Sequence, residues 1–226
     1  MTDTSSEKVI SHTHRFLWVG VPKAATRSLI TVLLRKPPID LGGTEDRRPL
    51  GALLDEDPAR RDFYIFTFVR NPWARAVSVW KDKVINVNED KAKAILRPFK
   101  GLEPGMPFEA FVEFLVNDPG GQDNKANPHW VSQHHFLRDS DGELAADFVG
   151  RVENIAEDFA VVAERIGLPA TNLPVLNTRF GWRPDKPHRD EVASQTEYYR
   201  EYYTPKLRDA IAERYAEDVE LFEYSF

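Results

Sequence analysis

Residues 16–35 constrain the fold more than any other stretch, because an apolar run passes there directly into a helical pattern. Residues 16–21 suit a buried strand, and residues 26–35 repeat apolar side chains on one helical face. A helix that starts here offers unpaired backbone N–H groups and the positive end of its dipole, to which Lys23 adds a cation. The stretch therefore predicts a cradle for an anion. Its members are Pro22, Lys23, Ala24, Ala25, Thr26, Arg27 and Ser28.

A second corner of the same kind follows residues 63–69, an aromatic and β-branched run typical of a strand covered on both faces. Arg70 stands at the strand end, Asn71 is a suitable helix cap, and Pro72 fits the first helical position. Two such corners predict a βαβ arrangement, whose right-handed crossover places both at one edge of a parallel sheet. Ligands of such sheets bind at that edge.

The rest of the chain continues the alternation of strands and helices. We predict a helix from Phe108, a short strand at 147–152, a helix capped by Asn154 and ended by Gly167, and a C-terminal helix from Pro205. Residues 38–61 and 172–189 are expected to be loops. The predicted fold class is α/β, a three-layer, P-loop-like domain with a central parallel β-sheet flanked by helices.

Composition limits the domain count and the partners. A chain of 226 residues with 42% hydrophobic content predicts one domain, over residues 15–226, after a mobile polar tail at 1–14. The net charge of −6 argues against a nucleic-acid partner. Residues 70–100 nevertheless hold eight Lys and Arg against three Asp and Glu. This tract either steers an anionic ligand or is a solvated helix face.

The chain contains no cysteine, no apolar stretch typical of a signal peptide and no membrane-spanning run. We therefore expect a soluble, cytoplasmic protein without disulfides. Oligomeric state cannot be predicted from the sequence.

With both corners located, the chain resembles the sulfotransferases that use 3′-phosphoadenosine 5′-phosphosulfate (PAPS), especially carbohydrate sulfotransferases of the chondroitin type and their bacterial relatives. Residues 22–28 look like the loop of that family that binds the 5′-phosphosulfate, and residues 68–78 look like its 3′-phosphate motif. The family holds the 3′-phosphate with an arginine and a serine eight residues apart, the separation of Arg70 and Ser78. Weaker similarity at 129–130, 149–154 and 202–205 extends the resemblance over nearly the whole chain.

The resemblance implies transfer of a sulfuryl group. This reaction needs in-line placement of donor and nucleophile and neutralisation of the charge on the leaving phosphate. Lys23 would stabilise the bridging oxygen and the 5′-phosphate. The N–H groups of Ala25, Thr26 and Arg27 and the hydroxyls of Thr26 and Ser28 would hold the non-bridging oxygens. Relatives often have glycine at Ala25 and a hydroxylic residue at Arg27, so Arg27 either replaces a neutral donor or points to solvent. The acceptor would be a carbohydrate or a small molecule.

The base that removes the acceptor proton is predicted less sharply. His129 is the first candidate, because it lies in the histidine-tryptophan element that resembles the family and its side chain titrates near neutrality. The further candidates are His134, His135, Glu45 and Asp46. Spacings of five and six residues do not align the three histidines for zinc, and sulfuryl transfer needs no metal. Thr178 and Arg179 fall where relatives close over the nucleotide, and a purely structural loop role fits them equally well.

Structural roles must be set against these assignments. Trp73, Trp80 and Trp130 suit a core, and Arg75 suits a surface or an ion pair. Two other functions stay open at this point. A nucleotide or small-molecule kinase lacks support, because no Gly-x-x-x-x-Gly-Lys-Ser/Thr loop is present. The second open function is that of a catalytically silent module that still binds the nucleotide.

Overall fold

The structure, a computed structural model, describes residues 2–169, Leu173 and 198–226. These residues fall into two compact units. The sheet unit contains Thr4–Arg70, residues 136–169 and Leu173, and the helical unit contains residues 2–3, Asn71–His135 and residues 198–226. The prediction of a single domain over 15–226 stays a prediction.

One mixed sheet organises the sheet unit, and within the described residues its five strands follow the order β3-β1-β2-β4-β5. The strands are β1 (Lys8–Ser11), β2 (Phe16–Val19), β3 (Gly43–Asp46), β4 (Tyr64–Val69) and β5 (Phe148–Arg151). β2 pairs with β4, and β4 with β5, in parallel, whereas β1 is antiparallel to both β2 and β3. The α/β class is confirmed, with a sheet that is mixed where a parallel one was predicted.

Helices alternate with these strands and also build the helical unit. They are α1 (Thr26–Ile30), α2 (Leu50–Glu56), α3 (Pro72–Trp80), α4 (Glu89–Ile95), α5 (Phe108–Asn117), α6 (Ile155–Arg165), α7 (Pro205–Arg214) and α8 (Ala216–Leu221). Wider π-type turns extend α1 through Thr31–Arg35 and α3 through Lys81–Ile85. No helix in the described ranges is both long enough and apolar enough to cross a membrane.

The core of the sheet unit follows from side-chain alternation along β2 and β4. Trp18 lies opposite Phe66 in the parallel register, and both are fully buried in a cluster with residues of α1 and α6. Leu17 and Ile65 are buried on the other face of the sheet. Burial on both faces explains why these strands read as nearly continuous apolar runs.

Two segments that the sequence left unstructured contain strands. Lys8–Ser11, expected within a mobile tail, form β1 and are buried throughout. Residues 38–61, expected to be a loop, contain β3 and α2. Strands of four residues are too short to show a period of their own, so pairing with neighbouring strands decides their structure.

Helix ends agree with the sequence at three places and differ at two. The Asn71 side chain accepts hydrogen bonds from the N–H groups of Trp73 and Ala74, Thr204 accepts from Leu207, and Gly167 ends α6 at a φ of 73°. Asn154, predicted to cap α6, makes no capping bond. The predicted C-terminal helix is interrupted at Tyr215, which separates α7 from α8.

Candidate functional site

The predicted anion cradle lies between β2 and α1, where its backbone is closely tied. The Gly20 N–H donates to the Glu7 carbonyl oxygen at 2.8 Å, and the N–H groups of Ser28 and Leu29 donate to the carbonyl oxygen of Ala25. Lys23 and Ala25 adopt left-handed conformations, with φ of 73° and 56°. Such conformations cost non-glycine residues about 1–2 kcal/mol each, and strain of this kind clusters at ligand sites. The surrounding hydrogen bonds therefore hold the loop in a backbone conformation that is unfavourable for these residues in isolation.

The Thr26 hydroxyl, expected to donate to an oxygen of the bound anion, donates within the loop instead. It donates to the carbonyl oxygen of Val21 at 2.8 Å, so its proton is used within the loop. The remaining lone pairs of this hydroxyl can only accept hydrogen bonds. Arg27 is exposed and Ser28 is 7% exposed. Lys23 and the backbone N–H groups of the first helical turn stay the predicted donors to an anion.

Arg70 reaches the cradle from the end of the neighbouring strand. β2 and β4 are paired side by side, and the buried Thr67 hydroxyl donates to the Val19 carbonyl oxygen at 2.7 Å just before both strands end. Arg70 then donates through Nη1 to the carbonyl oxygen of Lys23 at 3.5 Å. The structure thus brings the guanidinium of Arg70 to the backbone of the loop that contains Lys23.

Ser78 and His129 belong to the helical unit. Ser78 is partly exposed on α3, where residues 71–77 are buried. Arg75, expected at a surface or in an ion pair, is 2% exposed, and burial lowers its pKa. Trp73 and Trp130 are buried, as predicted for core residues, and the indole of Trp80 donates to the Met106 carbonyl oxygen.

Two nitrogen atoms of His129 contact the side chain of Asn127. Oδ1 of Asn127 lies 3.1 Å from the backbone nitrogen of His129 and 2.6 Å from its ring Nδ1. An asparagine that binds the backbone two residues ahead is a common turn device. Asn127 was not singled out in the sequence, although its Asn-Pro-His spacing is a turn signal.

The other two histidines of this segment face carboxylates. The ring nitrogens of His134 lie 2.9 Å from Asp218 and 3.2 Å from Glu217, and the ring is 5% exposed. Nε2 of His135 lies 3.1 Å from Asp123. His134 therefore has both nitrogens in ion-pair contacts, which leaves it poorly suited to accept a proton from a ligand.

Two carboxylates, the half-buried Asp123 and the buried Asp218, bind the backbone of the same segment, and neither was predicted from the sequence. Asp123 accepts the N–H of Ser132, and Asp218, fully buried, accepts those of Gln133 and His134 at 2.7 and 2.9 Å. Burial opposes ionisation of Asp123, yet hydrogen bonds from its partners, His135 and Arg214, hold its pKa well below the usual range. Three successive N–H groups are thus fixed by carboxylates.

The carboxylate candidates lie on the edge strand β3. Two-pronged hydrogen bonds from Arg48 lower the pKa of Asp46 to about 2. A group that binds protons so weakly is a poor general base near neutral pH. Glu45 is exposed and pairs with Arg47 at 3.4 Å. Neither carboxylate has the environment expected of a base.

Some predictions fall outside the described residues. Thr178 and Arg179 lie outside them, as does nearly all of the loop predicted at 172–189. Within the described ranges, no group of three or more histidine and carboxylate side chains is placed to hold a metal ion.

The chain matches a known protein family over most of its length. Residues 6–225 match the model of a family described as the sulfotransferase family. Carbohydrate sulfotransferase 14 of Danio rerio is 27% identical over 96% of this chain and 61% of its own length, and that of Homo sapiens is 25% identical over 96% and 59%. Carbohydrate sulfotransferase 12 of Xenopus laevis is 22% identical over 59% of this chain and 34% of its own. The chain thus spans about three fifths of the first two relatives.

Among solved structures, mouse sulfotransferase SULT7A1 complexed with PAP aligns with a TM-score of 0.52. The alignment covers 95% of this chain and 90% of that one at 16% identity. This likeness supports the fold.

Proposed function

Because the chain belongs to the sulfotransferase family, we propose that it transfers a sulfuryl group from PAPS to a hydroxyl or amine of a carbohydrate or smaller metabolite. The carbohydrate sulfotransferases similar to it favour a carbohydrate acceptor. A related fold has been solved with PAP, the desulfated donor. The observation that carries the proposal is the contact of the Arg70 guanidinium with the backbone of the Lys23 loop.

The two cations suit the two ends of the donor. Lys23 neutralises charge that builds on the 5′-phosphate as the sulfuryl group leaves. The N–H groups of Ala25, Thr26 and Arg27 hold the non-bridging oxygens. Arg70 grips the 3′-phosphate through two parallel, charge-assisted hydrogen bonds, and Ser78 adds a neutral donor. This second grip distinguishes PAPS from ATP.

We assign the base to His129. As the acceptor oxygen bonds to sulfur, its proton passes to the ring of His129. The bond between sulfur and the bridging oxygen breaks, and its electron pair stays on the phosphate, beside Lys23. His129 is favoured because its ring is oriented by an amide, whereas His134 is held by two carboxylates.

Binding of the desulfated donor tests the nucleotide assignment. We expect calorimetric titration without magnesium to show PAP binding more tightly than ATP. The kinase alternative predicts the reverse order, and tight binding of ATP alone would refute the assignment.

Transfer of radiolabelled sulfate to a panel of unsulfated glycans, including chondroitin, and of small alcohols tests the reaction. We expect a labelled product from at least one acceptor. The silent module is favoured if PAP binds tightly but no labelled product forms and no labelled sulfate is released to water.

The role of Lys23 has its own test. Lys23→Ala should lower turnover by roughly 10²–10³-fold, the effect typical of losing one group that stabilises transition-state charge, and weaken PAP binding far less. Lys36→Ala, which removes an exposed lysine from the same unit, should change neither quantity. If Lys23→Ala weakened binding as much as turnover, Lys23 would be a binding residue only.

A further inference from the structure

The geometry around His129 identifies the nitrogen that carries the ring proton. A backbone N–H can only donate, so the Asn127 atom 3.1 Å from the His129 backbone nitrogen must be the amide oxygen. The same oxygen lies 2.6 Å from Nδ1 of the ring. A neutral imidazole carries one ring proton, and this contact requires that proton on Nδ1. The lone pair of the neutral ring is then on Nε2.

Asn127 itself is part of a hydrogen-bonded turn. Its carbonyl oxygen accepts the N–H groups of Trp130 and Val131 at 2.9 and 3.2 Å, which closes a turn around His129. The indole of Trp130, 1% exposed, donates to the Gly120 carbonyl oxygen at 2.9 Å, and the Tyr215 hydroxyl donates to the Trp130 carbonyl oxygen at 2.9 Å. The side chain of Asn127 is thus fixed by the turn below it and by two contacts with His129.

The Asn127 side chain that contacts the ring of His129 differs in kind from the side chains that contact His134 and His135. His134 and His135 contact carboxylates, which carry a full negative charge, whereas an amide orients a ring without adding charge. A general base must be neutral before it accepts a proton, and a carboxylate partner favours the protonated ring. The Asn127 amide adds no such penalty of its own and still orients the ring.

We propose that Asn127 is a positioning residue that holds neutral His129 in the Nδ1–H form, so that Nε2 takes the proton of the sulfuryl acceptor. The proposal rests on the role of His129 in the proposed function. When Nε2 gains the proton, the Nδ1–H bond to Asn127 becomes charge-assisted, so the same contact stabilises the protonated ring as the reaction proceeds.

Nitrogen NMR of the full chain with ¹⁵N-labelled histidine rings tests the proposal without any ligand. His129→Gln identifies the signals of this residue among the six histidines. In the unmodified chain, at a pH where the ring is neutral, Nδ1 should give the signal of a protonated ring nitrogen and Nε2 that of an unprotonated one. Asn127→Ala should shift His129 towards the Nε2–H form.

The matching kinetic readout is turnover of radiolabelled donor in the presence of the glycan panel. Asn127→Ala should lower turnover about tenfold, part of the effect of a general base, with PAP affinity unchanged within about twofold. Asn127→Asp keeps the accepting oxygen, so it should keep the Nδ1–H form, but its negative charge favours the protonated ring and should move the acidic limb of the turnover profile to higher pH. Asn154→Ala, which removes an exposed asparagine without a capping bond, should match the unmodified chain in both readouts.

Two results would overturn the proposal: an Nδ1–H ring that persists in Asn127→Ala, or a changed tautomer with undiminished turnover. The proposed function fails separately. Full turnover by His129→Gln would remove His129 as the base whatever the NMR spectra show, and a chain inactive towards every acceptor would still report its tautomer.

Discussion

Replacement of Gly20 by alanine should disturb the Lys23 loop from below. A Cβ atom built on Gly20 would lie 2.5 Å from the Glu7 carbonyl oxygen, 3.0 Å from the Trp18 ring and 3.3 Å from the Thr26 methyl group. Carbon–oxygen contacts in proteins begin at about 3.3 Å, so the new methyl must move by about 0.8 Å from the carbonyl oxygen of Glu7, the residue before β1. The Gly20 N–H bond to Glu7 and the Lys23 loop cannot both keep their positions.

The expected cost follows from that displacement. Overpacking of this size destabilises proteins by about 1–3 kcal/mol, which lowers the urea midpoint of unfolding by about 1 M at a typical denaturant slope. A shift approaching 1 Å in a binding loop should also reduce PAP affinity and turnover, each by tenfold or more. Urea unfolding followed by tryptophan fluorescence and calorimetric titration with PAP measure the two effects.

Gly142→Ala is the matched control. Gly142 has a φ of 86° and no atom within 4 Å of a built Cβ, so alanine there adds backbone strain of about 1–2 kcal/mol without a clash. It should lower stability by a similar amount and leave PAP affinity unchanged. If Gly20→Ala bound PAP as well as the unmodified chain, the link between this glycine and the loop would be refuted.

Further variants probe other contacts. Arg70→Lys should weaken PAP binding about tenfold or more but leave 5′-AMP binding unchanged in calorimetry, because lysine cannot form two parallel hydrogen bonds to the 3′-phosphate; equal losses for both nucleotides would contradict this. Asp218→Ala should destabilise the chain by roughly 3 kcal/mol or more in urea unfolding, since it removes a buried charged acceptor that contacts three donor nitrogens, and Asp218→Asn by less; a loss below 1 kcal/mol would refute it. Because the pKa of Asp46 is lowered to about 2, its ion pair should stabilise the fold above about pH 4 and lose that effect as pH falls towards 2. Arg48→Gln should abolish this part of the acid dependence, and an unchanged pH profile would show that the pair contributes nothing.

The two strand-to-helix corners could be predicted because their signals are local. Buried parallel strands read as continuous apolar runs, and Asn71 and Pro72 mark the start of a helix within the same few residues. The crossover rule then places the corners side by side, which is why Lys23 and Arg70 could be expected to meet.

The elements that were missed depend on partners far away in sequence. Lys8–Ser11 become a strand only through pairing with β2 and β3, and β3 through pairing with β1. Asp218 binds the segment near His134 across more than 80 residues, so no local pattern could reveal it. Asn127 is different, because an asparagine two residues before a histidine is a local signal that the sequence offered and that was not used.

The central claim is that the Lys23 loop and Arg70 bind a nucleotide with a 3′-phosphate. Calorimetric titration without magnesium, comparing PAP with 5′-AMP, which lacks only that phosphate, tests it most directly. The structure predicts that PAP binds at least tenfold more tightly and that Arg70→Ala removes most of the difference, since each charge-assisted contact contributes roughly 1.5–3 kcal/mol. Equal affinities for PAP and 5′-AMP in the unmodified chain would contradict it.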